Sequence, residues 1–169
     1  MCYLFRLSFI FLYLCKRIVQ PLNIPYYEQK IRLNGGKQQI FDAVRRRYVA
    51  LTPEEWVRQN MVSHLVSALH VPATRISNET PITFNGLSKR CDTVVYDAHL
   101  QPLMIVEYKA PTIEITQKTF DQIAVYNLQL QVPYLLVSNG LQHIFCRVDW
   151  VNKRYVFRPE IPDYALLLR

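Results

Sequence analysis

Glycine is scarce in this chain, with 4 residues in 169, while half of all residues are hydrophobic. That excludes a disordered or low-complexity chain, and the length suits one domain with a buried core. Paired cysteines are lacking as well. Cys2, Cys15, Cys91 and Cys146 are scattered with no C-x-x-C spacing. Neither a zinc site nor a disulfide framework is expected, and the thiols read as free in a reducing compartment. No stretch G-x-x-x-x-G-K-[ST] is present, so this chain carries no phosphate-binding loop of that kind and no ATP-driven motor built on one. Acid is in deficit, 13 Asp and Glu against 20 Lys and Arg, giving a net charge of +7. That balance favours an acidic or polyanionic partner, nucleic acid first.

The first 20 residues do not match what comes after them. Leu4 to Leu14 is apolar, interrupted by Arg6 and closed by Lys16-Arg17. It falls short of the roughly 20 apolar residues that a bilayer span needs. As a signal peptide it has its charge in the wrong place and no small-residue cleavage site. Three readings stand for it: a start called too far upstream, which is favoured, an interfacial anchor, or a helix docked on the domain. The expected division is a 1–20 extension and a 21–169 domain, with no membrane span and a cytoplasmic location.

Along the domain, Asn34-Gly35-Gly36 between Ile31 and Ile40 signals a hairpin. Arg45-Arg46-Arg47 is a candidate grip on phosphates, or a solvated face. Thr52-Pro53-Glu54-Glu55 opens the clearest helix: Thr52 suits the N-cap, Pro53 the first helical position, and Glu55 completes a capping box. Trp56, Val57, Met61, Val62, Leu65, Val66 and Leu69 give that helix a broad apolar face, and Pro72 ends it. Ile76 to Phe84 reads as a strand containing Glu79, turned at Asn85-Gly86 into a second strand. A later helix begins near Thr116, with Phe120, Ile123, Ala124 and Leu128 as its apolar stripe and Gln122 and Tyr126 four apart on one side. Tyr134 to Ser138 and His143 to Val148 read as two more strands. His143 reads as structural, and the tail through Tyr155-Val156-Phe157 and Pro159 to Pro162 as cover for a sheet edge.

The stretch around which these elements are organised runs from Lys89 to Lys109. Lys89 to Asp97 and Leu103 to Lys109 both read as strands, with a polar turn between them. Alternation puts Leu103, Ile105, Glu107 and Lys109 on one face and Met104, Val106 and Tyr108 on the other. An antiparallel hairpin brings Asp92 close to Glu107. Two carboxylates with a lysine at one end of a sheet suit a hard metal ion with a cationic neighbour.

Asp92, a hairpin and then Glu107-x-Lys109 resembles the signature of the PD-(D/E)xK nuclease superfamily. Asn85 to Asp92, Ile105 to Pro111, Phe120-Asp121-Gln122-Ile123 and Val137-Ser138-Asn139-Gly140 together resemble the N-terminal nuclease domain of type I restriction enzyme R subunits, in its short stand-alone form. The resemblance spans roughly Pro25 to Tyr164. It implies an α/β restriction-endonuclease-like fold, with a central mixed sheet flanked by helices, and a Mg²⁺- or Mn²⁺-dependent deoxyribonuclease. Asp92, Glu107 and the main-chain carbonyl of Tyr108 would hold the ion, and Lys109 would orient the attacking water or steady developing charge. In the family the first helix carries a glutamate near the metal, to which Glu55 corresponds; the capping box accounts for the same residue without chemistry. Gln122 and Tyr126 resemble the extra motif of RecB-like nucleases, which helps hold DNA and the carboxylates. Glu79 would lie beside Asp92 or stand as an outward-facing surface acid, and Ser88, Lys89 and Arg90 are candidate donors to a phosphate or simply face water.

Partners implied are DNA, with motor or specificity subunits supplied in trans. A lone site cutting both strands would require a homodimer or two binding events, and the sequence leaves that open. Two other readings stand beside the nuclease: a catalytically silent nuclease-fold module that binds DNA or a partner protein, and a plain interaction module.

Overall fold

The structure is a computed structural model that describes residues 19–84 and 87–169, without the side chains of 84–88. The expectations for residues 1–18, for the Asn85-Gly86 turn and for the Ser88 side chain lie outside it. Among the described residues the order is β1 (Ile31–Asn34), β2 (Lys37–Asp42), β3 (Arg47–Ala50), α1 (Pro53–Ser67) and a 3-10 turn (Ala73–Arg75). Then come β4 (Ile76–Phe84), β5 (Leu87–Tyr96), β6 (Pro102–Tyr108), α2 (Gln117–Leu130), β7 (Tyr134–Ser138), β8 (His143–Asp149), β9 (Arg154–Arg158) and α3 (Tyr164–Leu167).

Two sheets form. β1-β2-β3 is a small antiparallel sheet, and β4-β5-β6-β7-β8-β9 is a mixed six-stranded one. All neighbours in the large sheet are antiparallel except β6 and β7. Parallel neighbours need a crossover, and α2 supplies it. The Asn34–Lys37 pair closes the first hairpin over Gly35 and Gly36, whose φ angles of 54° and 76° are those of a two-residue turn that suits glycine.

The large sheet is sandwiched. On one side Val57, Met61, Val62 and Leu65 of α1 pack on Val95, Met104, Val106 and Tyr108. On the other, Phe120, Ile123 and Tyr126 of α2 pack on Val94, Ile105, Leu135 and Val137. The expected alternation along β6 therefore holds for Ile105 against Met104, Val106 and Tyr108. Leu103 departs from it and joins the α1 side, next to a register shift at Val95/Tyr96.

Other differences have local causes. The Arg47–Ala50 strand was not foreseen, because Arg45 to Arg47 reads as a charge run and not as a turn leading into an edge strand. The tail does not merely cover the sheet: Arg154–Arg158 pairs with β8 as a sixth strand. Leu128 is 58% exposed, while Asn127 in the same helix is buried. Asn127 holds both the N–H (2.7 Å) and the carbonyl (3.2 Å) of Val132 past the end of α2.

His143 is structural. One ring nitrogen lies 2.9 Å from the Ser138 hydroxyl and the other 3.1 Å from the Asn23 carbonyl. With Asn23 N–H donating to Gly140 O at 2.7 Å, it ties the segment before β1 onto the β7–β8 turn.

Candidate active site

The site forms where β5 begins to part from β6, between the N-terminus of α1 and the middle of α2. Thr93 pairs with Val106, so Asp92 and Glu107 are the next residues outward on adjacent strands. Asp92 Oδ2 accepts the Tyr108 N–H at 2.9 Å, which fixes it against the end of β6. Glu107 Oε1 receives Lys109 Nζ at 2.7 Å and Gln122 Nε2 at 2.7 Å, and Gln122 Nε2 also lies 3.2 Å from the Tyr126 hydroxyl. Asp92, Glu107, Lys109, Gln122 and Tyr126 are thus assembled by the hairpin and the crossover helix.

The electrostatics are those of crowded acids. Burial, then the charge of Asp92, raises the Glu107 pKa above the ordinary carboxylate range. Burial raises Asp92 as well, against the opposing pull of Arg58 and the Tyr108 N–H. Burial also works against the charge of Lys109, but its hydrogen bond to Glu107 and the charges of Glu107, Glu54 and Asp92 hold its pKa above the usual lysine value. Lys109 is therefore a firm cation, fitted to donate a hydrogen bond and not to take a proton.

Arg58 is a site residue that the sequence reading passes over. It stands three, four and seven residues before Met61, Val62 and Leu65, in the middle of the apolar face of α1, and that spacing is the signal that could have marked it as buried; its side chain is only 4% exposed. Its guanidinium reaches Asp92 Oδ1 at 3.0 Å, Glu55 Oε2 at 3.2 Å and Glu79 Oε1. The planar fork suits an arginine that serves several carboxylates at once. Glu79 lies beside Asp92 through this shared guanidinium, and its φ of 57° is a costly backbone state for a glutamate.

The two glutamates that open α1 have different surroundings. Thr52 Oγ1 caps the Glu55 N–H at 3.0 Å. The Glu55 carboxylate does not return to Thr52: it takes Gln59 at 2.8 Å, Arg45 at 3.4 Å and Arg58. Glu54, one residue earlier and half-buried, is the one whose pKa is raised by burial and then by Asp92, with Lys109 and Arg58 opposing. A capping-box pattern favours the third helical position, which is why Glu55 drew the reading.

Lys89 and Arg90 are exposed at the start of β5. Lys89 Nζ sits 6.0 Å from the Tyr126 ring centroid, and Arg90 lies 3.8 Å from Glu79. Arg45, from the three-arginine run, turns inward onto Asp42 at 2.6 Å, and Arg46 and Arg47 remain exposed. Cys91, with its pKa pushed up to about 12 by burial and then by the charges of Glu107 and Asp92, is an inert thiol.

The donor set fits a hard divalent cation. It offers carboxylate oxygens with no sulfur or imidazole ligand, and the acids repel each other in a partly dry setting. Among the described residues no three His, Cys, Asp or Glu side chains gather closely enough to hold an ion alone. Magnesium is commonly bound by one or two carboxylates, with waters and substrate phosphates completing the shell.

A mixed sheet flanked by helices, with an acid pair and a lysine at the end of its central hairpin, has the α/β architecture of the restriction-endonuclease-like fold. The family model for the type I restriction enzyme R protein N terminus matches residues 53–162, more than half of the chain, and the chain belongs to that family. The match takes in every residue of the candidate site and leaves out β1, β2 and β3. No curated protein matches the chain. Among the described residues no helix is long and apolar enough to cross a membrane.

Proposed function

We propose that this protein is a divalent-cation-dependent deoxyribonuclease of the PD-(D/E)xK type. The observation that carries the reading is the Asp92–Glu107 pair, set side by side at the end of the β5–β6 hairpin with Lys109 and Gln122 fixed on the buried Glu107, and the crowding raises the pKa of each carboxyl. Such a pair is short of positive charge, and a cation of +2 would relieve it.

Asp92, Glu107 and the Tyr108 carbonyl would hold Mg²⁺ or Mn²⁺. Bound there, the ion would neutralise charge on the phosphate and ease deprotonation of the attacking water. The protein's own groups do the positioning. Lys109, kept protonated, donates to the water or to a non-bridging phosphate oxygen as charge builds there. Gln122 holds Glu107 in place and Tyr126 supports Gln122, so the carboxylate geometry does not depend on solvent. Arg58 fixes Asp92, and Glu54 is placed to accept a proton or a hydrogen bond at the edge of the site. Lys89 and Arg90 supply exposed cations on the approach to it. As in the resemblance noted above, partners that move or select DNA would act in trans.

A second reading, a silent module that binds DNA without cutting it, is favoured by one observation: both Asp92 oxygens already have protein partners, Arg58 and the Tyr108 N–H. The two readings are separated by incubating the purified chain with supercoiled plasmid and with single-stranded DNA in Mg²⁺ or Mn²⁺. Nicking or cutting that stops with EDTA and is lost in Lys109→Ala supports the nuclease. Binding without cleavage on every substrate contradicts it.

A further inference from the structure

The small sheet stands outside the family match, and none of its residues touches the candidate site directly. Its two faces differ sharply. Ile40 and Asp42 point inward and are wholly buried. The strand alternation then puts Lys37, Gln39 and Phe41 on the outer face. Phe41 faces Tyr48 across the β2–β3 pair, and Arg32 faces Gln39 across β1–β2. Phe41 N–H donates to Lys30 O at 2.9 Å, which extends the pairing to Lys30.

This outer face carries three exposed cations, Lys30, Arg32 and Lys37. Two of them are held in place. Arg32 stacks its guanidinium 3.8 Å from the Tyr48 ring centroid and donates from Nε to Gln39 at 2.8 Å. Lys30 Nζ lies 5.8 Å from the Phe41 centroid, and the two rings meet edge-on at 5.2 Å. The acid in these three strands is Asp42, turned inward and taken up by Arg45 and Asn78.

We propose that this face is a docking surface for the phosphate backbone of duplex DNA. The cations match a polyanion, and the aromatic supports order long side chains that would otherwise lose up to about 2 kcal/mol of rotamer freedom each on binding. Arg32 lies over the Tyr48 ring and the exposed groups of this face are cations, so phosphates are recognised and binding is independent of sequence. A buried polar chain braces the face against the candidate site: Asp42 to Arg45, Arg45 to Glu55, Glu55 to Arg58 and Arg58 to Asp92. The choice of DNA as the polyanion rests on the proposed function.

The test is equilibrium binding of a fluorescent duplex by anisotropy in EDTA, across a range of salt. The parent is compared with the triple variant Lys30→Gln, Arg32→Gln, Lys37→Gln. A control triple, Arg147→Gln, Lys153→Gln, Arg158→Gln, removes the same charge from exposed positions around β8 and β9. Each phosphate contact contributes about 0.9 to the slope of log affinity against log salt. The small-sheet triple is expected to lower the slope by about 2 to 3 and the affinity at low salt by at least about tenfold, the double Lys30→Gln, Lys37→Gln to lower the slope by about 2, and the control to do neither. An unchanged slope in the small-sheet triple overturns the inference even where the parent cuts DNA, and so does an equal loss in the control. A parent that shows the expected slopes and never cuts overturns the proposed function and leaves this surface standing.

Discussion

Replacing Arg58 by methionine tests how the site is held together. Methionine keeps much of the length of the side chain and removes the charge. Arg58 is 4% exposed, and it serves Asp92, Glu55 and Glu79, whose side chains are 16%, 10% and 26% exposed. Removing one partner from a buried charge group leaves the others uncompensated, which costs about 3–5 kcal/mol. The lower end is expected here, because Glu79 keeps some solvent and Glu55 keeps Arg45 and Gln59. For a chain of this size, about 3 kcal/mol corresponds to a fall in Tm of roughly 6–12 °C. Calorimetry at neutral pH reads it directly. Burial already holds the folded pKa of Asp92 above its unfolded value and Arg58 is the group that opposes it, so the penalty from Asp92 is full at neutral pH and shrinks as the pH falls and it takes up a proton. Arg58→Lys, which retains charge without the planar fork, should fall between the parent and Arg58→Met. A loss below about 1 kcal/mol in Arg58→Met, or one that grows on acidification, would refute the claim that this guanidinium neutralises the buried acids.

Two further perturbations follow from the packing around the site. Asp42 has no exposure and accepts from Arg45 N–H at 2.8 Å, Arg45 Nε and Asn78; burial alone would raise its pKa, but these donors hold it below the usual range. Asp42→Asn should destabilise by about 3 kcal/mol at neutral pH, and because the folded pKa is the lower one, denaturant midpoints of parent and variant should converge only below about pH 4. Gly140 has φ +82° and a Cβ there would lie 2.6 Å from a Leu22 methyl, so Gly140→Ala should cost about 1–3 kcal/mol in thermal melting, and no change would mean that the segment before β1 does not rest on this turn.

Much of this arrangement was legible in the chain, for identifiable reasons. The closeness of Asp92 to Glu107 follows from pairing the two strands as a hairpin, and the register shift at Val95/Tyr96, which sequence patterning does not signal, sets the two residues directly opposite each other. Gln122 and Tyr126 were found because they are four apart on a helix whose place after β6 sets which way it faces. The start of α1 followed from Thr52 and Pro53, which act locally, while its end at Ser67 comes before the expected Leu69 and Pro72. What stayed hidden depends on distant partners. Arg58 stands at a core-facing position of α1 by its spacing to Met61, Val62 and Leu65, but the carboxylates that accept a charge there, Glu79 and Asp92, come from β4 and β5. The helix glutamates are a similar case: the capping pattern singles out Glu55, whose carboxylate is taken up by Arg45, Gln59 and Arg58, so that its link to Asp92 runs through the Arg58 guanidinium. The edge strand Arg154–Arg158 carries too few apolar residues on one face to announce itself; its pairing with β8 is what makes it a strand.

The central claim is that the Asp92–Glu107 pair is a divalent-cation site, and direct titration of Mn²⁺ into the metal-free protein tests it without reliance on any substrate. Isothermal calorimetry of the parent beside Asp92→Asn and Glu107→Gln, each checked for folding by circular dichroism, is the decisive comparison. Saturable binding by the parent, weakened at least about tenfold in both variants, is the predicted result, each lost ligand charge being worth 1.4 kcal/mol or more. Equal Mn²⁺ binding by all three proteins, or none by the folded parent, would contradict the account.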